Sequence, residues 1–314
     1  MEIFWELRSV TKNPNSILTV GTFDGVHRGH LYIINELKKR AEKCKCITTL
    51  VTFHPHPQVV LKSPDKPTLK ILTTIEEKLE LLEKSGLNRV VIIHFTRKFA
   101  KTPAQEFVKS ILHKTIGFRE IVIGYDHAFG KDRQGNIETL QQLGAELNFK
   151  VDKLEPFVVD GMVVSSTLIR NLLLDGKVKL ANKLLGRFYF LQGKVVKGEG
   201  RGQFLNFPTA NIEIDSQDKL IPQDGVYTVL VTLEDGKKYQ GMMNIGYRPT
   251  FNQQKLEHTL EVHIFDFNQS IYNKKIKIEF VDKIRDEKKF SSPDELINQL
   301  KQDKEKSLTI LQQI

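Results

Sequence analysis

Two histidines, His27 and His30, stand three residues apart in "GTFDGVHRGH" (residues 21–30), directly after the apolar run "ILTV". Gly21 lets the chain turn where that run ends, and Gly29 has no side chain to keep a phosphate from the backbone. A helix opening there aims free N–H groups and the positive end of its dipole at any anion in front of it. The spacing puts both imidazoles on one face of the first turn. Imidazole N–H groups donate to phosphate oxygens, and such donors stabilise charge moving onto phosphates in a transition state. Two histidines without a third nearby ligand make a weak metal site.

Three further segments have residue types that could serve the same rim. "TFHPHP" (52–57) is a stiff proline loop with two more histidines. "GYDHAFGKDRQG" (124–135) mixes Asp126, Phe129, Lys131 and Arg133 between glycines, a composition suited to a ring-shaped ligand. "SSTLIR" (165–170) opens a helix with the hydroxyls of Ser165, Ser166 and Thr167, and Arg170 adds a fork of donors for phosphate. Taken singly, a serine is also a good helix cap and an arginine an ordinary surface residue.

A second constellation lies further along. "GKVVKGEGRGQFLNFPTANIEI" (193–214) carries Gly193, Gly198, Gly200 and Gly202 ahead of "PTAN". Glycine-rich backbone can wrap oxyanions through its N–H groups, although a flexible hairpin has the same composition. No Gly-Lys-Ser/Thr closes the stretch, so it is not a P-loop. Thr209 and Asn211 alternate on a strand and face one side. A hydroxyl and an amide oxygen are suitable hard ligands for Mg²⁺ carrying ATP. In "LEVHIFDF" (260–267), Glu261 and His263 also share a face. A carboxylate there either takes a proton from an attacking hydroxyl or is a solvated glutamate on an exposed sheet.

These residues need a scaffold. In the first half, apolar runs at 17–21, 46–53, 89–95 and 120–124 alternate with helical patterns. Strands apolar on both faces are buried parallel strands, so the fold expected is α/β, a doubly wound parallel sheet. Ligands of such sheets bind beyond the carboxyl ends of the strands, where the first-half motifs fall. "TIEEKLELLEKSG" opens with Thr74 and Glu77 at capping-box spacing and closes at Gly86. Near residue 185 the pattern changes to alternating segments with an Asp-Gly hairpin signal, giving an antiparallel barrel or sandwich closed by C-terminal helix. Residues 168–187 read as a helical bridge. The division expected is 1–184 and 185–314.

The chain has 314 residues and a net charge of +9, which favours anionic partners without choosing among them. The basic residues are scattered rather than interleaved with aromatics, unlike a nucleic-acid surface. No apolar run approaches the ~18 residues of a membrane span, and no secretory signal pattern opens the chain. The only cysteines, Cys44 and Cys46, are read as reduced thiols of a cytoplasmic protein.

"GTFDGVHRGH", "TFHPHP", "GYDHAFG" and "SSTLIR" resemble the adenylyltransferase half of the bacterial bifunctional riboflavin kinase / FAD synthetases, within the wider HxGH nucleotidyltransferases. "FPTAN", "GVYTV", "NIGYRPTF" and "LEVHIFDF" resemble the riboflavin kinase half, a six-stranded barrel. The resemblance runs over nearly the whole chain in family order. It implies attack of an FMN phosphate on the ATP α-phosphate in the first half, and transfer of the γ-phosphate to the riboflavin 5′-hydroxyl in the second. His27, His30 and Arg170 would be catalytic there. Gly21, Phe23, Gly29, Ser165, Ser166, Thr167, Gly198, Gly200 and Gly202 would bind ATP and its phosphates, and Asp126 and Phe129 would seat flavin or adenosine. Thr209 and Asn211 would hold Mg²⁺, and Glu261 would be the base of the kinase reaction. Partners implied are ATP, riboflavin, FMN and FAD, with no nucleic acid or membrane, in a monomer or weak homo-oligomer. His127 stands where an aromatic is expected, and Asn206 where glycine is common. The alternatives are another HxGH adenylyltransferase with an unrelated β-module, and a non-catalytic flavin- or nucleic-acid-binding protein.

Overall fold

The computed structural model describes residues 1–62, 67–125, 128–131, 134–198, 207–249 and 256–314. The chain forms two compact units, Met1–Ser166 and Thr167–Ile314.

In the first unit, strands β1 (Glu2–Phe4), β2 (Ser16–Val20), β3 (Ile47–His54), β4 (Arg89–His94), β5 (Glu120–Ile123) and β6 (Lys150–Lys153) form one sheet in the order β1-β4-β3-β2-β5-β6. Every pairing in it is parallel. All five residues of β2 are buried, as a strand covered on both faces requires. In β4, Val91 and Ile93 join one core cluster while Val90 and Ile92 join another, so alternate side chains feed the two faces. Helix α1 (Arg28–Cys44) buries the stripe Ile34, Leu37 and Ala41. After the short α2 (Pro57–Val60), α3 (Ile75–Lys84) opens with the expected capping box, Thr74 with Glu77, and Gly86 follows its end at φ 78°. The next helix opens as α4 (Ala104–Glu106) and continues in wider π-helical turns over Phe107–Ile116. Helix α5 (Ile137–Leu147) is capped by Asn136. A small hairpin of β7 (Val158–Val159) and β8 (Met162–Val163) completes the unit.

The sheet corrects the sequence reading in two places. β1 and β6 are edge strands that the apolar runs did not reveal. One is three residues long and the other reads "KVDK", and neither holds a fully buried residue, so neither shows as an apolar run. The cysteines, expected as free thiols, are joined, Cys44 to Cys46. Lys45 between them caps α1 in the left-handed conformation at φ 55°, which folds the chain back and leaves the two Cα atoms 5.3 Å apart.

Helix α6 (Ser166–Leu174) begins at the last residue of the first unit. In the second unit, α7 (Val178–Leu185) is tied to the sheet by Asn182. Its side chain donates to the Phe280 carbonyl at 2.8 Å and accepts from the Tyr189 N–H at 2.7 Å. Strands β9 (Tyr189–Val196), β10 (Ala210–Glu213), β11 (Gly225–Leu233), β12 (Lys238–Pro249), β13 (Leu256–Ile264) and β14 (Lys275–Arg285) close into an antiparallel barrel, β10-β13-β12-β11-β14-β9. Pairing of β9 with both β10 and β14 makes this a barrel rather than a sandwich, removing the free edges. Tyr227, Met243, Val262, Ile278 and Phe280 are fully buried inside. Helix α8 (Pro293–Leu311) covers part of the outer face. The Arg285 guanidinium grips the buried Asp303 carboxylate through Nε and Nη2 at 2.8–3.1 Å.

Candidate active sites

The turn after β2 is built from backbone conformations that most side chains avoid. Phe23 (φ 48°), Gly25 (φ 84°) and Val26 (φ 37°) all lie in the left-handed region. For phenylalanine and valine this is strained, so the surroundings must hold it. They do so through Asp24, which is 1% exposed. Its carboxylate accepts from the backbone N–H groups of Leu72 and Thr73 at 3.0 Å and from the Thr73 hydroxyl at 3.2 Å. Thr73 Oγ1 in turn accepts from Gly25 N at 3.0 Å. Lys78 Nζ and Thr52 Oγ1 both donate to the Thr22 carbonyl, at 2.7 and 3.1 Å. Ser166 Oγ donates to the Asp24 carbonyl at 2.8 Å. Asp24, Thr73 and Lys78 were not singled out in the sequence. Their partners lie about 50 residues away along the chain, and no local pattern marks them.

The turn delivers the two histidines. His27 caps α1, and its Nδ1 accepts from His30 N at 3.3 Å. A nitrogen that accepts carries no proton, so this bond selects the tautomer with its proton on Nε2. The His27 and His30 rings stack with centroids 3.6 Å apart and planes 15° from parallel. Phe23 is buried and backs the His30 ring at 4.8 Å. The glycines clear this stack. A Cβ on Gly29 would come within 3.2 Å of the His27 ring, and one on Gly21 within 3.1 Å of the Phe23 ring. The pair therefore stands at the N-terminus of a 17-residue helix, where backbone N–H groups and dipole favour an anion.

The other first-half segments also follow strand ends. His54 ends β3, and His56 caps α2 by accepting from Gln58 N at 3.2 Å. Phe129 is buried in the aromatic cluster beside Phe107 at 6.2 Å, where it packs the core, and it pairs by backbone with Gly135. Asp126 and His127 lie outside the described residues. Ser165 and Ser166 are half-buried, Thr167 is exposed, and Arg170 is buried within α6.

In the barrel, Asn211 pairs with Glu261 across β10 and β13, and Thr209 Oγ1 donates to Glu261 Oε2 at 3.3 Å. Val262 points into the barrel with no exposure, so Glu261 and His263 on either side of it point out. His263 Nδ1 donates to the Pro208 carbonyl at 2.7 Å, and burial pushes this imidazole below its usual pKa. Gly198 lies against the Asn211 amide. Gly200, Gly202 and Asn206 lie outside the described residues. Beside Thr209 a cavity of about 370 Å³ is lined by Val195, Ala210, Val262 and Ile264, with Phe267 and Tyr272 from the β13–β14 connection.

A family model for FAD synthetase matches residues 9–168, and one for riboflavin kinase matches residues 185–311. A "Bifunctional riboflavin kinase/FMN adenylyltransferase" of Buchnera aphidicola from Schizaphis graminum is 37% identical over 292 residues, 93% of this chain and 92% of that one. The same description belongs to a Bacillus subtilis protein, 36% identical over 95% of this chain and 93% of its own. It also belongs to one from Escherichia coli K12, 34% identical over 96% of each. The chain belongs to the bifunctional riboflavin kinase/FMN adenylyltransferase family. A Streptococcus pneumoniae crystal structure described as a macrolide-efflux protein is similar too, with TM-score 0.86 and 34% identity over 96% of this chain and 97% of that one. Among the described residues here, no helix is long and apolar enough to cross a membrane.

The two matches divide the candidate site residues between them. His27, His30, Ser165 and Ser166 fall in the FAD synthetase segment, and Arg170 lies two residues beyond its end. Thr209, Asn211 and Glu261 fall in the riboflavin kinase segment.

Proposed function

We propose that this chain makes FMN from riboflavin and ATP at its barrel, and FAD from FMN and ATP at its parallel sheet. The observation that carries the reading is the stacked His27–His30 pair at the N-terminus of α1, in a different compact unit from the Thr209–Asn211–Glu261 group.

In the adenylyl transfer, an FMN phosphate oxygen forms a bond to the ATP α-phosphorus and the bond to the bridging β-oxygen breaks, releasing diphosphate. No covalent enzyme intermediate is needed, so the work is orientation and charge stabilisation. His27 Nε2–H and His30 donate to the phosphate oxygens as charge moves onto them. The Ser165, Ser166 and Thr167 hydroxyls and Arg170 grip the β,γ-phosphates, with Gly21 and Gly29 leaving room. Asp126 and Phe129 belong to the loop that seats adenosine or flavin.

In the kinase reaction, Glu261 takes the proton of the riboflavin 5′-hydroxyl while that oxygen bonds to the γ-phosphorus and ADP leaves. Glu261 is held for this by the Thr209 hydroxyl. Thr209 and Asn211 share its face and offer hard oxygen donors, so they fit Mg²⁺ accompanying ATP. When bound, the ion supplies neutralising charge on the phosphates. Gly198, Gly200 and Gly202 bring backbone N–H groups to the same phosphates. The neighbouring apolar cavity suits a nucleotide base. The enzyme acts in the cytoplasm, as a monomer or weak homo-oligomer.

The test is riboflavin, ATP and Mg²⁺ with the purified chain, products separated over time. FMN should appear first and FAD after it. Formation of neither removes the reading.

A further inference from the structure

We propose that Asp24 and Lys78 are positioning residues of the adenylyl-transfer site, a buried pair that fixes the left-handed turn from which His27 and His30 project. This rests on the adenylyl-transfer reading above.

The geometry is specific to that task. The Asp24 carboxylate takes three donors from Leu72 and Thr73, the two residues directly before the cap of α3. Lys78, one turn into the same helix and 4% exposed, reaches back to the Thr22 carbonyl. The start of α3 thus holds the turn at Thr22, Asp24 and Gly25. Gly25 fits so closely that a Cβ there would come within 2.7 Å of Leu72. Between these anchors Phe23 and Val26 adopt left-handed conformations that neither residue prefers. Phe23 then backs His30, and Val26 leads directly into the His27 cap. A turn held against its local preference is set by its anchors, and the imidazoles inherit its position.

The pair is also charged inside the protein. Burial pulls the Lys78 ammonium down to about 8, and the Asp24 carboxylate works against that pull. Among the described residues, Glu76 and Glu77 on α3 and His54 at the end of β3 also lie close to Lys78. Loss of the Lys78 proton removes a positive charge that the Asp24 carboxylate favours and weakens the hold on Thr22.

The experiment uses the full chain, whose riboflavin kinase reaction is an internal control on folding, and measures FMN adenylylation from pH 6 to 9.5. Lys78→Met should lower kcat for FAD formation on the order of 10²-fold, the scale of a small misplacement of catalytic groups. KM for MgATP and the kinase rate should each stay within ~3-fold. The wild-type kcat profile should fall on its alkaline side near the Lys78 value, and the variant should lack that limb. Adenylylation by Lys78→Met within ~3-fold of wild type, with an unchanged profile, overturns the proposal. Should Lys78→Met lose both reactions together, Thr73→Val decides, since it keeps shape and removes the hydroxyl's bonds to Asp24 and Gly25. A selective drop in FAD formation supports the proposal, and no drop overturns it. A wild type that makes FMN but never FAD would instead remove the underlying reading.

Discussion

A Cβ added to Gly198 would lie 2.0 Å from the side-chain nitrogen of Asn211, the residue paired with Glu261 across the barrel. The glycine is therefore space reserved for that amide. Gly198→Ala should push Asn211 out of place and lower riboflavin phosphorylation ~10- to 10²-fold. FMN adenylylation and the melting temperature should hardly change. Kinetics of both reactions on one preparation check this.

Glu261→Gln keeps the shape and the acceptor for Thr209 but cannot take a proton. Riboflavin phosphorylation should fall roughly 10²–10⁴-fold, the range for a lost general base. Adenylylation of supplied FMN should persist. Equal loss of both reactions would sink the assignment of Glu261 to one site.

His27 caps α1 through Nδ1, which leaves its ring proton on Nε2 for the proposed phosphate contact. His27→Ala should lose both and destabilise the first unit by about 1 kcal/mol. His27→Asn restores a good cap without the Nε2–H donor. Stability should recover while FAD formation stays low. Thermal melts with FAD assays separate the two, and recovery of activity in the asparagine variant would contradict the donor role.

Asp303 is buried and accepts both Nε and Nη2 of Arg285, tying α8 to β14. Asp303→Ala strands the guanidinium and should destabilise the barrel unit by about 3 kcal/mol. Denaturant unfolding followed separately in the two units should show the loss in the second alone.

Lys78 sets a pH dependence of stability. Its folded pKa, about 8, lies below its ordinary 10.5, so between these values the unfolded chain binds more protons. Stability contributed at this site therefore rises as pH climbs from about 8 toward 10.5, and the cost of the buried charge is fully present below that window. The stability difference between wild type and Lys78→Met should move in favour of wild type over this range. A flat or opposite trend in equilibrium unfolding would refute the buried charge.

By itself the sequence determined the alternation of apolar strands and amphipathic helices, the change to a β-rich second half, and the two groups of chemical residues. All of these are written in short-range spacing: imidazoles three apart, a threonine and asparagine two apart, a capping box, an Asp-Gly turn. The tertiary structure decided what depends on distant partners. It closed β9 on both β10 and β14, turned Glu261 to the outer face, put Phe129 in the core and folded Cys46 back onto Cys44. It also anchored the histidine turn to residues 48 to 142 positions away. Buried hydrogen bonds and strand register are settled by which surfaces exclude water together, and local composition carries no record of that choice.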